Sequence, residues 1–164
     1  MKNFYKGLIM ALLFTFPGLL TATGQVNMGS YIQETECIGV ELDGSLTVVA
    51  WGNGRNRNDA VKQARKIAVH DVIFKGITKG VKVPDPRPLV PEVNAERKHA
   101  DYFNRFFSDK RAVYQGYAIA KDERIADRIF RDKALSSEGV TYKVTVRVLR
   151  SELKERLIED GIIK

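Results

Sequence analysis

Residues 140–148 alternate strictly between apolar and polar side chains, and this pattern constrains the fold more than any other part of the sequence. Valine or tyrosine stands at every second position, with threonine, lysine or arginine between them. Successive side chains of a strand point to opposite faces, so the pattern predicts a strand with one face on a core. We therefore expect a sheet that carries a second layer on one side.

A hairpin is predicted around the turn-forming pair Asp43-Gly44. Alternating apolar residues precede and follow this pair. A three-residue loop with Gly44 in the left-handed conformation pairs Leu42 with Leu46, whereas a two-residue turn pairs apolar with polar residues. The apolar match favours the longer loop, and in that register Cys37 faces away from the main apolar face.

The segment after the hairpin predicts a long helix, with Asn56 or Asn58 as its N-cap. Alanine recurs at positions 60, 64 and 68 on one helical face, and this small side chain allows a close approach to a sheet. Asp71 falls near the middle of the alanine stripe. A buried carboxylate at that place requires a cation or backbone donors, so structural pairing is favoured over catalysis.

The opposite face of this helix begins cationic and becomes apolar at Val69, Ile73 and Ile77. The C-terminal half of the helix therefore has to be covered on two sides, either by the next segment of the chain or by a partner. On the second alternative, these three are candidate partner-binding residues.

Prolines at positions 84, 86, 88 and 91 predict a semi-rigid, extended connector over residues 81–93. A second helix is predicted over about 94–108, where four aromatic residues stand at helical spacing. Core packing explains such a stripe better than stacking on bases, so no specific nucleic acid is expected as a partner.

A third strand is predicted over 112–120, and a last helix follows the strand at 140–148. Residues 122–135 fit either a helix or one arm of a long hairpin. The element order β-β-α-α-β-β-α indicates an α+β fold, with a four-stranded antiparallel sheet and helices packed on one face.

The first 24 residues have the pattern of a secretory signal peptide. Lys2 and Lys6 precede an apolar run over 7–20, and small residues stand at Ala22 and Gly24, the expected −3 and −1 positions of cleavage. The run is too short to span a membrane, and no second run in the sequence approaches the required length.

This leader predicts a soluble protein exported to the periplasm or the extracellular space. We expect a flexible arm over 25–35 and a single domain over 36–164. Cys37 is the only cysteine, so no internal disulfide is expected, and its neighbours do not resemble a lipid-attachment site. The sequence therefore predicts a product that is not lipidated.

The sequence contains few of the groupings that carry chemistry. Two histidines without a cysteine pair or a His-x-x-x-His spacing give no metal signature, and no cofactor is expected. No Ser-His-Asp, Cys-His or paired-carboxylate grouping stands out. The sequence therefore predicts a protein that is not an enzyme.

The formal net charge of +7 favours anionic ligands, and the turn before the long helix is the candidate site. Arg55, Arg57 and Lys62 lie around the helix N-terminus, where backbone N–H groups attract anions. Arg57 occupies the position at which a dinucleotide fingerprint requires a third glycine, so a nucleotide loop is not indicated. An anion- or polyanion-binding module is therefore the alternative function.

Three stretches follow a pattern of strand, Gly-x-Gly, polar linker and alanine-rich helix, with a late strand. They are VVAWGNG at 48–54, NDAVKQARKIA at 58–68 and YKVTVRV at 142–148. Together they resemble the N-terminal-like domain of flagellar assembly protein T and of related small exported bacterial lipoproteins. The resemblance implies an envelope or assembly role without catalytic residues, although the lipid-attachment cysteine of the lipoprotein members is missing. The predicted function is that of an exported, non-catalytic interaction domain, whose partner is another envelope protein.

Overall fold

A mixed β-sheet forms the centre of the fold in the computed structural model, which describes residues 34–83, 85–120, 129–130 and 140–164. The strands in those residues are β1 (Glu36–Val40), β2 (Leu46–Gly54), β3 (Lys79–Gly80), β4 (Ala118–Ala120), β5 (Ile129–Phe130) and β6 (Val140–Val148). Their order across the sheet is β3-β1-β2-β6-β4, and β5 also pairs with β6. The short β1–β3 pair is parallel, while the other described pairs are antiparallel.

Helices accompany the sheet, so the predicted α+β class is confirmed. They are α1 (Arg57–Phe74), α2 (Ala95–Lys98), α3 (Ala100–Phe106), a 3₁₀ helix (Val113–Tyr117) and α4 (Arg150–Glu159). The described residues all fall within one unit of the chain, Ile32–Lys164. In the part of the chain that the structure describes, no helix is both long and apolar enough to cross a bilayer.

The long helix α1 packs directly on β2, as its alanine stripe predicts. Ala60, Ala64 and Ala68 are completely buried. At Gly52 of β2, an added Cβ would lie only 2.0 Å from the carbonyl oxygen of Ala60. Asn56 is the N-cap, since its side-chain oxygen accepts a hydrogen bond of 3.0 Å from the backbone N–H of Asp59, the third residue of the helix. The helix and the strand therefore meet through backbone and methyl groups.

The central pair of strands, β2 and β6, has the apolar alternation that the sequence predicts. Val48 lies opposite Val146 and Ala50 lies opposite Val144, and all four side chains are buried. The intervening Thr145 is also buried, although the alternation predicts a solvent-facing position for it.

The predicted register of the first hairpin is wrong. Leu46 pairs with Val40 rather than with Leu42, which lies fully exposed in the loop. The loop is longer than predicted, since residues 41–45 separate the paired positions Val40 and Leu46. A bulge between Cys37 and Gly39 adds a second shift, because one extra residue changes which side chains face the core. Cys37 is consequently buried rather than turned away from the apolar face. The left-handed Gly44 is confirmed, with a φ of 80°.

The predicted four-stranded antiparallel sheet and its element order are also corrected in detail. The segment after α1 adds β3 parallel to β1. The helix predicted over 94–108 is divided at His99 into α2 and α3, and the strand predicted over 112–120 begins as the 3₁₀ helix. These elements are short, and a segment of two to seven residues carries too little periodicity to be recognised.

Two expectations fall largely on residues outside the described part. Of residues 122–135, the structure describes 129–130, which form β5. The leader and most of the expected arm over 25–35 lie outside it too. Thr35, at the end of that arm, is buried.

Candidate functional site

The apolar residues Val69, Ile73 and Ile77 on α1 and just beyond it are buried by the chain itself. The connector lies against this part of the helix through residues 86–90. Its Leu89 N–H donates to the carbonyl oxygen of Val72 at 3.1 Å, and the next N–H donates to that of Ile73 at 2.9 Å. The next segment covers this face, so the assignment of these three residues to a partner surface is corrected: they are core residues.

The basic turn before α1 brings together only part of its predicted anion site. Arg55 and Lys62 line one small cleft, which Arg57 does not line. Two carboxylates, Asp59 and Asp109, line the same cleft. Asp59 Oδ2 lies 3.3 Å from Nε of Arg55. These carboxylates repel an anion, so the turn does not present a convergent group of free cations.

A larger cleft lies between α1 and the helices that follow the connector, and we call it the α1–α3 cleft. Its volume is about 460 Å³, which is within the range of small-molecule sites. The residues that line it are Gln63, Lys66, Ile67, His70, Asp71, Lys75, Glu96, Phe103, Asn104 and Phe107. Apolar walls and several polar groups therefore meet in one concave surface.

Aromatic rings form one wall of this cleft. Phe103 of α3 meets Phe74 of α1 edge to face, with ring centroids 4.7 Å apart. The His70 ring lies 4.9 Å from that of Phe74 and 5.9 Å from that of Phe107. Ring pairs at these distances are favourable beyond the area that they bury. Phe103 and Phe107 of the predicted aromatic stripe therefore pack against α1.

A chain of ionisable groups crosses the cleft. His70 lies between two carboxylates, with Nδ1 at 3.5 Å from Asp71 Oδ1 and Nε2 at 3.5 Å from Glu96 Oε2. Lys75 places its Nζ 2.8 Å from Asp71 Oδ1. The hydroxyl of Thr35 donates to Asp71 Oδ2. The buried Asp71 therefore has a cation and two further polar partners.

These contacts shift the pKa values of His70 and Asp71 in opposite directions. The hydrogen bond to Asp71 raises the pKa of His70 against the opposing effect of burial, and Glu96 raises it further. Burial opposes the charge of Asp71, but hydrogen bonds from His70, Lys75 and Thr35 outweigh it and lower the pKa of this carboxyl. Both shifts favour a charged pair.

The chemistry that this cleft can perform follows from its side chains. His70 can gain and lose a proton, but the described residues that line the cleft include no serine, threonine or cysteine. Among the described residues, no three His, Cys, Asp or Glu side chains are placed to hold a metal ion. Two amides, Gln63 and Asn104, and the half-exposed Glu96 can hydrogen-bond to a ligand.

Part of this arrangement is predictable from the sequence. The place of Asp71 in the alanine stripe predicts a carboxylate that needs a partner, and its pairing in the structure confirms that expectation. Lys75 could have been identified, because residues four apart meet on a helix surface. Glu96 and Thr35 carry no such signal, since each reaches the cluster through tertiary structure.

Comparisons with known proteins identify no relative of this chain. No family model, curated protein or solved structure matches it.

Proposed function

We propose that this chain is an exported, non-catalytic interaction domain of the bacterial cell envelope, and that its ligand or partner segment binds in the α1–α3 cleft. The observation that supports this best is the cleft itself, about 460 Å³ with an aromatic wall and paired ionisable groups. Concave sites with apolar walls and a few convergent polar groups are the usual form of ligand sites.

Binding is favoured over catalysis because the ionisable groups are engaged with one another. Asp71 is held by Lys75 and Thr35, and Lys66 lies 2.9 Å from Asp109. A general acid or base needs a nucleophile or a reacting atom within reach. The described lining supplies no hydroxyl or thiol nucleophile.

Export and the envelope location rest on the amino-acid sequence. Residues 1–24 have the order of a signal peptide, with a basic start, a short apolar run and small residues at the exit. The resemblance to the N-terminal-like domain of flagellar assembly protein T supports an assembly role in the same compartment.

A variant that fills the cleft tests the binding proposal. Asn104 is exposed on α3 and lines the cleft, so Asn104→Trp places an indole in it without disturbing the core. Asp101→Trp is the matched control, since it adds the same side chain to the same helix at an exposed position outside the cleft. Each protein is purified from the envelope fraction, and native mass spectrometry identifies what it retains.

We expect the parent protein and Asp101→Trp to retain the same molecule, and Asn104→Trp to lose it. Equal retention by both variants, or an empty cleft in all three proteins, contradicts the proposal. Intact mass tests export separately. A periplasmic product that begins at Gln25 supports it, and an untrimmed chain in the cytosol contradicts it.

A further inference from the structure

A second cleft lies where α3, the 3₁₀ helix and α4 meet, and it shares no lining residue with the α1–α3 cleft. We call it the arginine cleft. Its volume is about 290 Å³. Arg105 reaches it from α3, Arg111 from the turn that follows, and Arg156 from α4. Three arginines from three separate segments therefore line one small cleft.

Positive charge exceeds negative charge in the arginine cleft. Asp160 is the only carboxylate among its described lining residues. Oδ2 of Asp160 accepts hydrogen bonds from the Tyr102 hydroxyl at 2.7 Å and from Arg156 Nε at 2.8 Å. The Nε–H of Arg105 donates to the backbone carbonyl oxygen of Asp101 in its own helix. Neither Arg105 nor Arg111 forms an ion pair with any described residue, so both retain donors for a ligand.

Aromatic side chains form the apolar side of this cleft. The rings of Tyr102 and Phe106 are stacked with centroids 5.9 Å apart, and Phe106 stacks on Tyr117 at 6.0 Å. A charge beside such a wall is less screened by water than one on an open surface, which strengthens its attraction for an opposite charge. The aromatic stack therefore favours an anion held against it by the arginines.

The turn that carries Arg111 is held in a defined conformation. The next residue, Ala112, has a φ of 53°, a left-handed conformation that is unfavourable for residues other than glycine. Its N–H donates to the carbonyl oxygen of Ser108 at 2.8 Å, and its own carbonyl oxygen accepts from Gln115 at 2.9 Å. These two bonds fix the backbone from which the Arg111 side chain extends.

We propose that the arginine cleft binds a phosphate group, either as free phosphate or as the phosphomonoester of a small molecule or a lipid headgroup. The planar guanidinium group matches phosphate oxygens with paired donors. A phosphomonoester carries about −1.5 to −2 charges near neutral pH, which balances the excess of two positive charges in the lining. A carboxylate occupies one guanidinium fork, whereas the oxygens of a tetrahedral phosphate can meet arginines from three sides.

Two double variants that remove equal charge test this proposal. Arg105→Ala with Arg111→Ala removes two exposed arginines of the cleft. Arg55→Ala with Arg57→Ala removes two exposed arginines at the turn before α1, outside the arginine cleft, and is the control. Inorganic phosphate and glycerol phosphate are titrated calorimetrically into the full chain and both variants at constant ionic strength. Co-sedimentation with phosphatidylcholine vesicles, with and without phosphatidic acid, tests the lipid source.

We expect the cleft variant to lose at least about tenfold in affinity for phosphate or for vesicles with phosphatidic acid, because charged hydrogen bonds are lost. The control variant should stay within about twofold. Binding to the soluble compounds assigns a soluble phosphate, and binding to the vesicles alone assigns a lipid headgroup. Equal losses in both variants attribute binding to net charge and overturn the proposal. Absence of binding by the parent chain to every probe, or a loss confined to the control variant, also overturns it.

Discussion

The hydroxyl of Thr35 donates a hydrogen bond to Oδ2 of Asp71, and both side chains are buried. The bond connects positions 36 residues apart and ties the segment before β1 to the C-terminal half of α1. Lys75 approaches the other carboxylate oxygen at 2.8 Å from an exposed position. Besides His70, Asp71 therefore has one buried partner and one solvated partner, whose contributions to stability can be separated.

Removing the buried partner should destabilise the fold. Thr35→Val keeps the shape of the side chain but leaves Asp71 Oδ2 without its donor. An unsatisfied buried polar group costs about 1–3 kcal/mol, and urea unfolding followed by circular dichroism should show a loss of this size. Lys75→Met should cost less than about 1 kcal/mol, because its ammonium group is largely exposed.

A double-mutant cycle checks that the loss belongs to this hydrogen bond. Combining Thr35→Val with Asp71→Ala should give a coupling free energy of about 0.5–3 kcal/mol, as for side chains in direct contact. Additive effects would show that the two residues stabilise the protein independently, contrary to the geometry.

Stability should fall as the pH rises through the neutral range, because the pKa of His70 is raised in the folded state. A raised folded pKa gives stability that is complete below the unfolded value of about 6.5 and is lost as the pH rises through the folded value. Urea midpoints measured from acidic to mildly alkaline pH should show this decline in the parent chain. His70→Gln should remove it, since glutamine does not titrate.

The carboxylates beside His70 provide the control for that pH effect. Glu96→Gln removes one of the groups that raise the pKa of His70, so the decline should become smaller. The lowered pKa of Asp71 acts at a different pH. Its contribution is present above the unfolded value of about 3.9 and is lost only as acid approaches the folded value. A neutral-range decline that persists in His70→Gln would contradict the assignment to His70.

The close contact between α1 and β2 makes Gly52 sensitive to a single methyl group. A Cβ there would lie 2.0 Å from the Ala60 oxygen and 2.5 Å from the Ala64 nitrogen, both backbone atoms. Gly52→Ala should therefore lower the free energy of unfolding by about 1–3 kcal/mol, the usual range for overpacking. Gly116→Ala is the control, because an added Cβ meets nothing within 4 Å. A similar loss in both variants would show that glycine matters at Gly52 for a reason other than packing.

Long periodic segments explain which parts of the fold could be predicted. The alternation over 140–148 and the alanines of α1 repeat often enough to indicate both the element and its buried face. The helix–sheet contact at Gly52 follows from those alanines. These elements contain their own signal, so no tertiary information was needed to recognise them.

The register of β1 shows why other parts could not be predicted. The bulge at 37–39 reverses the alternation after Cys37, and the apolar match between Leu42 and Leu46 was misleading because Leu42 is exposed in the loop. A bulge is decided by pairing across strands, which a single strand sequence does not contain. The α1–α3 cleft was missed for the same reason, since Glu96 meets His70 only through the path of the connector.

Ile73 allows the clearest test of whether the chain itself or a partner covers this face of α1. Ile73 is completely buried, whereas Ile158 on α4 is 45% exposed. Ile73→Ala should cost about 2–5 kcal/mol, since it leaves a cavity in the core, and Ile158→Ala should change stability by about 0.5 kcal/mol or less. Ile73→Asp should not fold, because a carboxylate would be buried without a partner. Urea unfolding measures the two alanine variants, and size exclusion with circular dichroism measures the third. A folded, monomeric Ile73→Asp would show that a partner, rather than the connector, covers this face.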